Sequence, residues 1–147
     1  MAWLVEYTDE FGQWWDTLDE EQQEDVAAIV GELENLGPTL PYPYSSDVRG
    51  SKHGQMRELR VQSRGKPLRI FYAFDARRAA ILLIGGDKTG RPRFYEEFIP
   101  IADRLYDAHL AGIQSAMGEE EHDGETSIFG TKGANVARGA RPRRRKS

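Results

Sequence analysis

Met56-Arg57-Glu58-Leu59-Arg60-Val61-Gln62-Ser63, Leu68-Arg69-Ile70-Phe71-Tyr72-Ala73-Phe74 and Ala79-Ala80-Ile81-Leu82-Leu83-Ile84 are three strand-like runs in close succession. In the first, Met56, Glu58, Arg60 and Gln62 alternate with Arg57, Leu59, Val61 and Ser63, the period of a strand whose faces differ. Arg64-Gly65-Lys66-Pro67 reads as the turn into the second run, and Asp75-Ala76-Arg77-Arg78 as the turn into the third. Consecutive strands with short turns predict an antiparallel meander. The third run is almost wholly apolar, which predicts a central strand buried on both faces.

Upstream of the meander, residues 37–55 collect Gly37, Pro38, Pro41, Pro43, Gly50 and Gly54 and read as a loop. Before that loop, residues 2–7 predict a short strand. Thr8 or Asp9 starts a helix with Phe11, Trp14, Trp15 and Leu18 at helical spacing. The Trp14-Trp15 pair predicts packing, one ring in the core and the other half exposed at a helix–sheet seam. Asp19 caps a second helix, with Gln22 three residues on as in a capping box. Its buried stripe is expected to be Val26, Ile29, Val30, Leu33 and Leu36, and Gly37-Pro38 ends it. Downstream, residues 85–93 read as a second basic loop. A helical turn is expected at 93–98. Pro100 suits the first position of a last helix with Ile101, Leu105, Ala108 and Ile113 on one side, ending at 112–115. The expected class is α+β: residues 1–115 form one domain and 116–147 a disordered basic tail.

The chain of 147 residues has no cysteine, which excludes a disulfide framework, a cysteine-ligated metal and a thiol nucleophile. No run approaches the ~20 apolar residues of a membrane span. Met1–Glu6 lacks the basic-then-apolar pattern of a secretory signal, so a cytoplasmic location with no membrane partner is expected. The net charge of −4 hides a segregation. Residues 1–48 hold 12 acids and no Lys or Arg, whereas residues 49–93 hold 12 bases and 3 acids, a local charge of +9. A polyanion senses the local potential within a Debye length of ~8–10 Å, so this block matters more than the total.

That basic block coincides with the meander and its loops. Glu58 and Arg60 share a strand face, Arg69 alternates out of the core, and Lys88 sits on a Gly-flanked loop. Lys52 and His53 precede the sheet. Together they suit a phosphodiester, whose backbone cations neutralise and whose transition state fixed guanidiniums stabilise. Tyr72, Tyr95 and Phe94 supply faces for base stacking. A solvated sheet face also carries Arg and Lys, and Glu58 also fits a simple ion pair with Arg60 or Arg69. Gly85-Gly86-Asp87-Lys88-Thr89-Gly90 lacks the spacing of a triphosphate-binding loop. His53, His109 and His122 fit no metal motif, and His109 reads as a helix-end residue.

Met56–Arg60, Leu68–Asp75, Ile81–Thr89 and Ile101–Asp107, in this order and spacing, resemble the HigB/RelE-type toxins of type II toxin–antitoxin systems. The likeness is to the phage-derived small-toxin branch of the RelE/ParE superfamily and covers about residues 3–113. The resemblance implies a RelE-like fold: an N-terminal strand and two helices packed on an antiparallel sheet, closed by a C-terminal helix. It implies a ribosome-dependent, metal-free mRNA endoribonuclease without a cofactor, neutralised by a separate helix-turn-helix antitoxin. Arg60 and Arg69 are then the phosphate ligands and Lys88 a further cation. Glu58 is the candidate base or their ion-pair partner, and Tyr95 or His53 the stacking residue or proton donor. Lys52, His53, Arg57, Arg64, Lys66, Arg91 and Arg93 are the implied RNA-binding set. The superfamily also contains gyrase-directed ParE-type toxins, in which the sheet cations serve protein contacts, and an inactive binding module is a third alternative.

Overall fold

The computed structural model describes residues 2–119, in the order β1 (Leu4–Tyr7), α1 (Asp9–Asp16), α2 (Glu20–Leu36), β2 (Ser45–Asp47), β3 (Arg57–Ser63), β4 (Lys66–Phe74), β5 (Ala79–Asp87) and α3 (Phe94–Glu119). The α+β class is borne out. The five strands form one sheet in the order β1-β5-β4-β3-β2. The meander β3-β4-β5 is antiparallel as expected, but β1 runs parallel to β5, so the sheet is mixed. The two helices between β1 and the meander supply the crossover that a parallel neighbour needs.

Local chemistry accounts for the elements. The Thr8 hydroxyl accepts from the Phe11 amide at 2.9 Å, and capping α1 this way satisfies one orphan N–H. Asp19 and Gln22 form the expected reciprocal capping box on α2. The β3–β4 turn is only Arg64-Gly65, with φ of 52° and 80°, so Lys66 and Pro67 already belong to β4. Positive φ at both turn residues matches the twist of a tight hairpin.

One face of the sheet packs on α1 and α2 through Phe11, Trp15, Val26, Leu33, Leu59, Ile70, Tyr72 and Leu82. The other packs on α3 through Met56, Phe71, Ile81, Leu83, Phe94, Ala102 and Tyr106. Ala79–Leu83 are buried, as expected of an interior strand with helices on both sides. Trp15 is buried and Trp14 half-buried, its ring lying where a side chain on Gly85 would stand. Leu36 departs from the expected stripe and is 40% exposed, because it lies at the α2 terminus beyond the sheet.

Further differences from expectation concern the loops and the last helix. The segment 37–55 is not wholly irregular: it holds a 3-10 turn at Gly37–Thr39 and the edge strand β2. Gly85, Gly86 and Asp87 extend β5 rather than open a loop. An aromatic ring covers each glycine, Trp14 over Gly85 and Phe98 with Phe94 over Gly86, so a strand can pass only where no Cβ is present. Finally, α3 is one helix running through Pro100, not a turn followed by a second helix. Pro100 is exposed, so the carbonyl it leaves unbonded faces water rather than the core. Starting the helix at Phe94 sets its phase. The buried residues of the stripe are Phe94, Ile99, Ala102 and Tyr106, with Phe98 and the expected Leu105 half-buried beside them, rather than a stripe centred on Ile101 and Ala108. α3 also continues past 115 to Glu119, and the remainder of the expected basic tail lies outside the described residues.

Candidate functional site

Strand register assembles the site. Ser46 of β2 faces Glu58 of β3, and Arg60 of β3 faces Arg69 of β4. Arg69 faces Gly86 of β5. Between the pairs Tyr72–Leu82 and Phe71–Ile84 the register skips Leu83, a bulge that reverses which β5 side chains meet α3. Gly86 and Lys88 therefore share the face of Glu58, Arg60 and Arg69, and α3 lays Tyr95 over them. All five side chains expected to carry chemistry (Glu58, Arg60, Arg69, Lys88 and Tyr95) meet here.

Glu58 is the hub, with 4% exposure. Its Oε1 accepts from the Tyr95 hydroxyl at 2.8 Å, and its Oε2 accepts from the Ser46 hydroxyl at 2.8 Å and Arg60 Nη1 at 3.4 Å. Arg69 is 5% exposed, and its Nε lies 3.9 Å from Glu58 Oε1, too far for a hydrogen bond. Arg69 Nη1 donates to the Leu68 carbonyl at 3.1 Å, but Nε has no partner and is buried. The Lys88 ammonium lies 5.3 Å from the Tyr95 ring centroid, within cation–π range. Burial, with the Glu58 carboxylate that it donates to, pushes the Tyr95 hydroxyl above the ordinary tyrosine range, so it is a neutral donor at neutral pH. Three cations thus surround one carboxylate whose oxygens already hold donors.

The seven side chains expected to bind RNA do not form one group. Arg91 and Arg93 flank the start of α3 but pair with Glu97 and Glu96. Lys66 is exposed at the start of β4. Arg57 alternates to the opposite sheet face and bonds Asp47 and Ser45. Arg64 pairs with Asp19 and Glu21 at the α2 N-terminus. Lys52 and His53 bind Asp107 of α3 at 2.6 and 2.8 Å. Asp107 lies about 18 Å along the helix from Tyr95, so neither belongs to the Glu58 cluster. The aromatic expectations also change. Tyr72 and Phe94 are each 1% exposed and cannot receive a base. Ser46 escaped the sequence reading because a three-residue strand carries no periodic signal.

A second cluster lies under the other half of α3. Arg77 grips Glu6 with two bonds of 2.7 and 3.1 Å and reaches Asp75 Oδ2 at 2.7 Å. His109, inside the helix rather than at its end, meets the same Asp75 oxygen at 2.9 Å. Burial opposes ionisation of Asp75, but the bonds from His109 and Arg77 outweigh it and hold the carboxyl well below the usual carboxylate range. Glu6, Asp75 and His109 bring ligand-type atoms within 4.8 Å of one another. The Arg77 guanidinium already occupies the cation's place between the two carboxylates, so the set is a satisfied ion network.

Among the described residues no helix is long and apolar enough to cross a membrane. Residues 13–107 match the family of phage-derived Gp49-like proteins. Two Mycobacterium tuberculosis proteins named as toxins are similar to this chain. HigB2 is 41% identical over 116 residues, 78% of this chain, and HigB3 is 41% identical over 100 residues, 67% of it. The chain spans only 57% of the length of HigB2, but 86% of HigB3. Among solved structures, the archaeal RelE–RelB complex from Pyrococcus horikoshii gives a TM-score of 0.47 at 15% identity, covering 62% of this chain and 99% of that one. A mutant of E. coli toxin RelE in the free state gives 0.49 at 12% identity, covering 74% and 98%. The match over most of the domain, with two relatives at 41% identity, bears out the resemblance read from the sequence: this chain belongs to the Gp49-like family of phage-derived proteins.

Proposed function

We propose that this chain is the toxin of a type II toxin–antitoxin module. In this reading it cleaves mRNA on the ribosome in the cytoplasm and is neutralised by a separate small DNA-binding antitoxin. One observation carries the reading. The Arg69 guanidinium is buried, its Nε lacks an acceptor, and it sits beside Arg60 and Lys88 on one sheet face. Arg69 meets Glu58 only at 3.9 Å, so its buried Nε–H lacks a hydrogen-bond acceptor, and a phosphodiester oxygen supplies one. The family and the toxin names of its relatives support the same reading.

The chemistry is attack of the ribose 2′-oxygen on the adjacent phosphorus, its proton passing to solvent water, with cleavage of the bond to the 5′-oxygen, which takes up a proton as it leaves. Arg60 and Arg69 hold the non-bridging oxygens and stabilise the charge that grows on the phosphorane, and Lys88 adds to the field. Tyr95 is assigned as a positioning residue: its hydroxyl proton is held by Glu58 Oε1 and its ring carries the Lys88 ammonium, which fixes both beside the phosphate. Glu58 is assigned as the residue that positions Tyr95 and the arginines, since Tyr95, Ser46 and Arg60 already occupy its oxygens.

Brief expression followed by primer extension on cellular mRNA tests the reading. Growth arrest with new mRNA 5′ ends is the expected result, and both disappear in Arg69→Ala. Growth arrest with intact mRNA sinks the nuclease reading. Full cleavage by a folded Arg69→Ala protein sinks the site.

A further inference from the structure

Tyr42 is 69% exposed, more than any other large apolar side chain among the described residues. Singly exposed aromatics are ordinary. What sets this one apart is its neighbour. The Arg60 guanidinium carbon lies 5.2 Å from the Tyr42 ring centroid, while Nη1 of the same group lies 3.4 Å from Glu58 Oε2. One guanidinium therefore joins the exposed ring to the cation cluster. The backbone that presents the ring is held from both sides. Leu40 is buried, and its amide donates to the Gly37 carbonyl at 3.1 Å. The Tyr44 and Ser45 amides both donate to the Pro41 carbonyl, at 2.9 and 3.1 Å, and the Arg60 amide donates to the Tyr44 carbonyl at 2.8 Å. The ring is thus displayed at a defined place beside β3.

An aromatic face next to a cationic groove is how single-stranded nucleic acid is held: phosphates meet the cations and an unstacked base lies on the ring or the guanidinium plane. Tyr72 and Phe94 are buried and Tyr95 is half-buried, whereas Tyr42 is 69% exposed against 45% for Tyr44, which makes Tyr42 the most accessible ring in contact with these cations among the described residues. We infer that Tyr42 and Arg60 form a nucleobase-stacking subsite for single-stranded RNA, beside a phosphate held by Arg60, Arg69 and Lys88. The inference rests on the RNA reading above and adds to it a residue in direct contact with the base.

The test uses the full chain and a short 2′-O-methyl oligoribonucleotide, which cannot undergo 2′-attack. It carries one 2-aminopurine, placed in turn at each position, whose fluorescence falls on stacking. The intact protein is expected to bind and to quench the probe strongly at one position. Tyr42→Ala weakens binding about tenfold and removes that quench. Tyr42→Phe keeps both, because the ring and not the hydroxyl makes the contact. An abasic residue at the quenched position weakens the intact protein by a similar factor, and Tyr42→Ala then causes no further loss. Thermal unfolding of the Tyr42 variants stays unchanged, since the side chain is solvent-exposed. If Tyr42→Ala binds and quenches like the intact protein while Arg69→Ala binds weakly, the subsite is overturned and the RNA reading stands. If the intact protein does not bind the oligonucleotide, the subsite is overturned, and the RNA reading is decided separately by primer extension on cellular mRNA.

Discussion

Two buried ionic clusters lie beneath α3, one under its first turn and one under its middle, each built from carboxylates and cationic or ring donors, and they differ in whether their donors are used. Under His109, Arg77 binds Glu6 and Asp75, and His109 closes the set. Under Tyr95, Glu58 is saturated, but Arg69 Nε stands 3.9 Å from it with no hydrogen-bond acceptor among the described residues, and Lys88 lies against a ring face. A closed network contributes to holding the helix on the sheet. An open one retains unspent cationic potential, and an anion completes it. The difference teaches that burial of charge alone does not mark a site; the state of its hydrogen bonds does.

The largest expected effect is at the open cluster. Arg69→Ala lowers RNA cleavage about 10²–10³-fold, as loss of one preorganised transition-state donor does. The same change shifts urea unfolding by only about 1 kcal/mol, because Glu58 keeps three other donors. The closed cluster should behave in the opposite way. Asp75 has a fully enclosed side chain, and Asp75→Ala takes away the acceptor of His109 and leaves Arg77 with Glu6 alone. A loss of about 3 kcal/mol is expected in urea unfolding, with cleavage per folded molecule unchanged. A stable, inactive Asp75→Ala protein would break the comparison.

Gly86→Ala joins the two measures. A Cβ there would stand 2.7 Å from Phe98 and 2.9 Å from Phe94, so the first turns of α3 must shift. Overpacking of this kind costs about 1–3 kcal/mol, and because Tyr95 rides on the same turn, cleavage should fall with stability. Next in size is Glu58→Gln, which keeps an acceptor for Tyr95 and should leave cleavage within about tenfold of the original. A loss near that of Arg69→Ala would instead make Glu58 the base.

The smallest effect is a pH dependence. The folded-state pKa of Asp75 is lowered, so its contribution is fully present above the unfolded value near 4 and is lost as pH falls from there toward the folded value. The stability gap between the native protein and Asp75→Asn, read from urea melts, should be constant at pH 5–7 and narrow below pH 4. A gap that persists unchanged at pH 3 would show that folding does not lower the Asp75 pKa.

Much of this was legible before any coordinates. Period-two alternation marked β3, the apolar run marked β5, and the Asp19–Gln22 spacing marked the start of α2. Each depends on residues within a few positions of one another. The convergence of Glu58, Arg60, Arg69, Lys88 and Tyr95 was also approached from charge and resemblance. What misled was equally local: Pro100 suggested a helix start, and Gly85-Gly86 a loop, because a sequence does not display the solvent or the rings around them.

The amino-acid sequence by itself determined the α+β class, the meander, both helix caps and the segregation of charge into a basic sheet and an acidic N-terminal third. Only the tertiary structure decided which cations are open. Lys52, His53, Arg57 and Arg64 look the same in sequence as Arg60 and Arg69, yet each of the four is paired with an acid 10 to 55 residues away, whereas Arg60 and Arg69 share the one carboxylate of Glu58. The bulge at Leu83, the phase of α3 and the pairing of Ser46 with Glu58 are likewise set across the sheet. The physical reason is range: periodicity and capping act along a few residues of chain, whereas an unsatisfied donor is defined by every group packed around it.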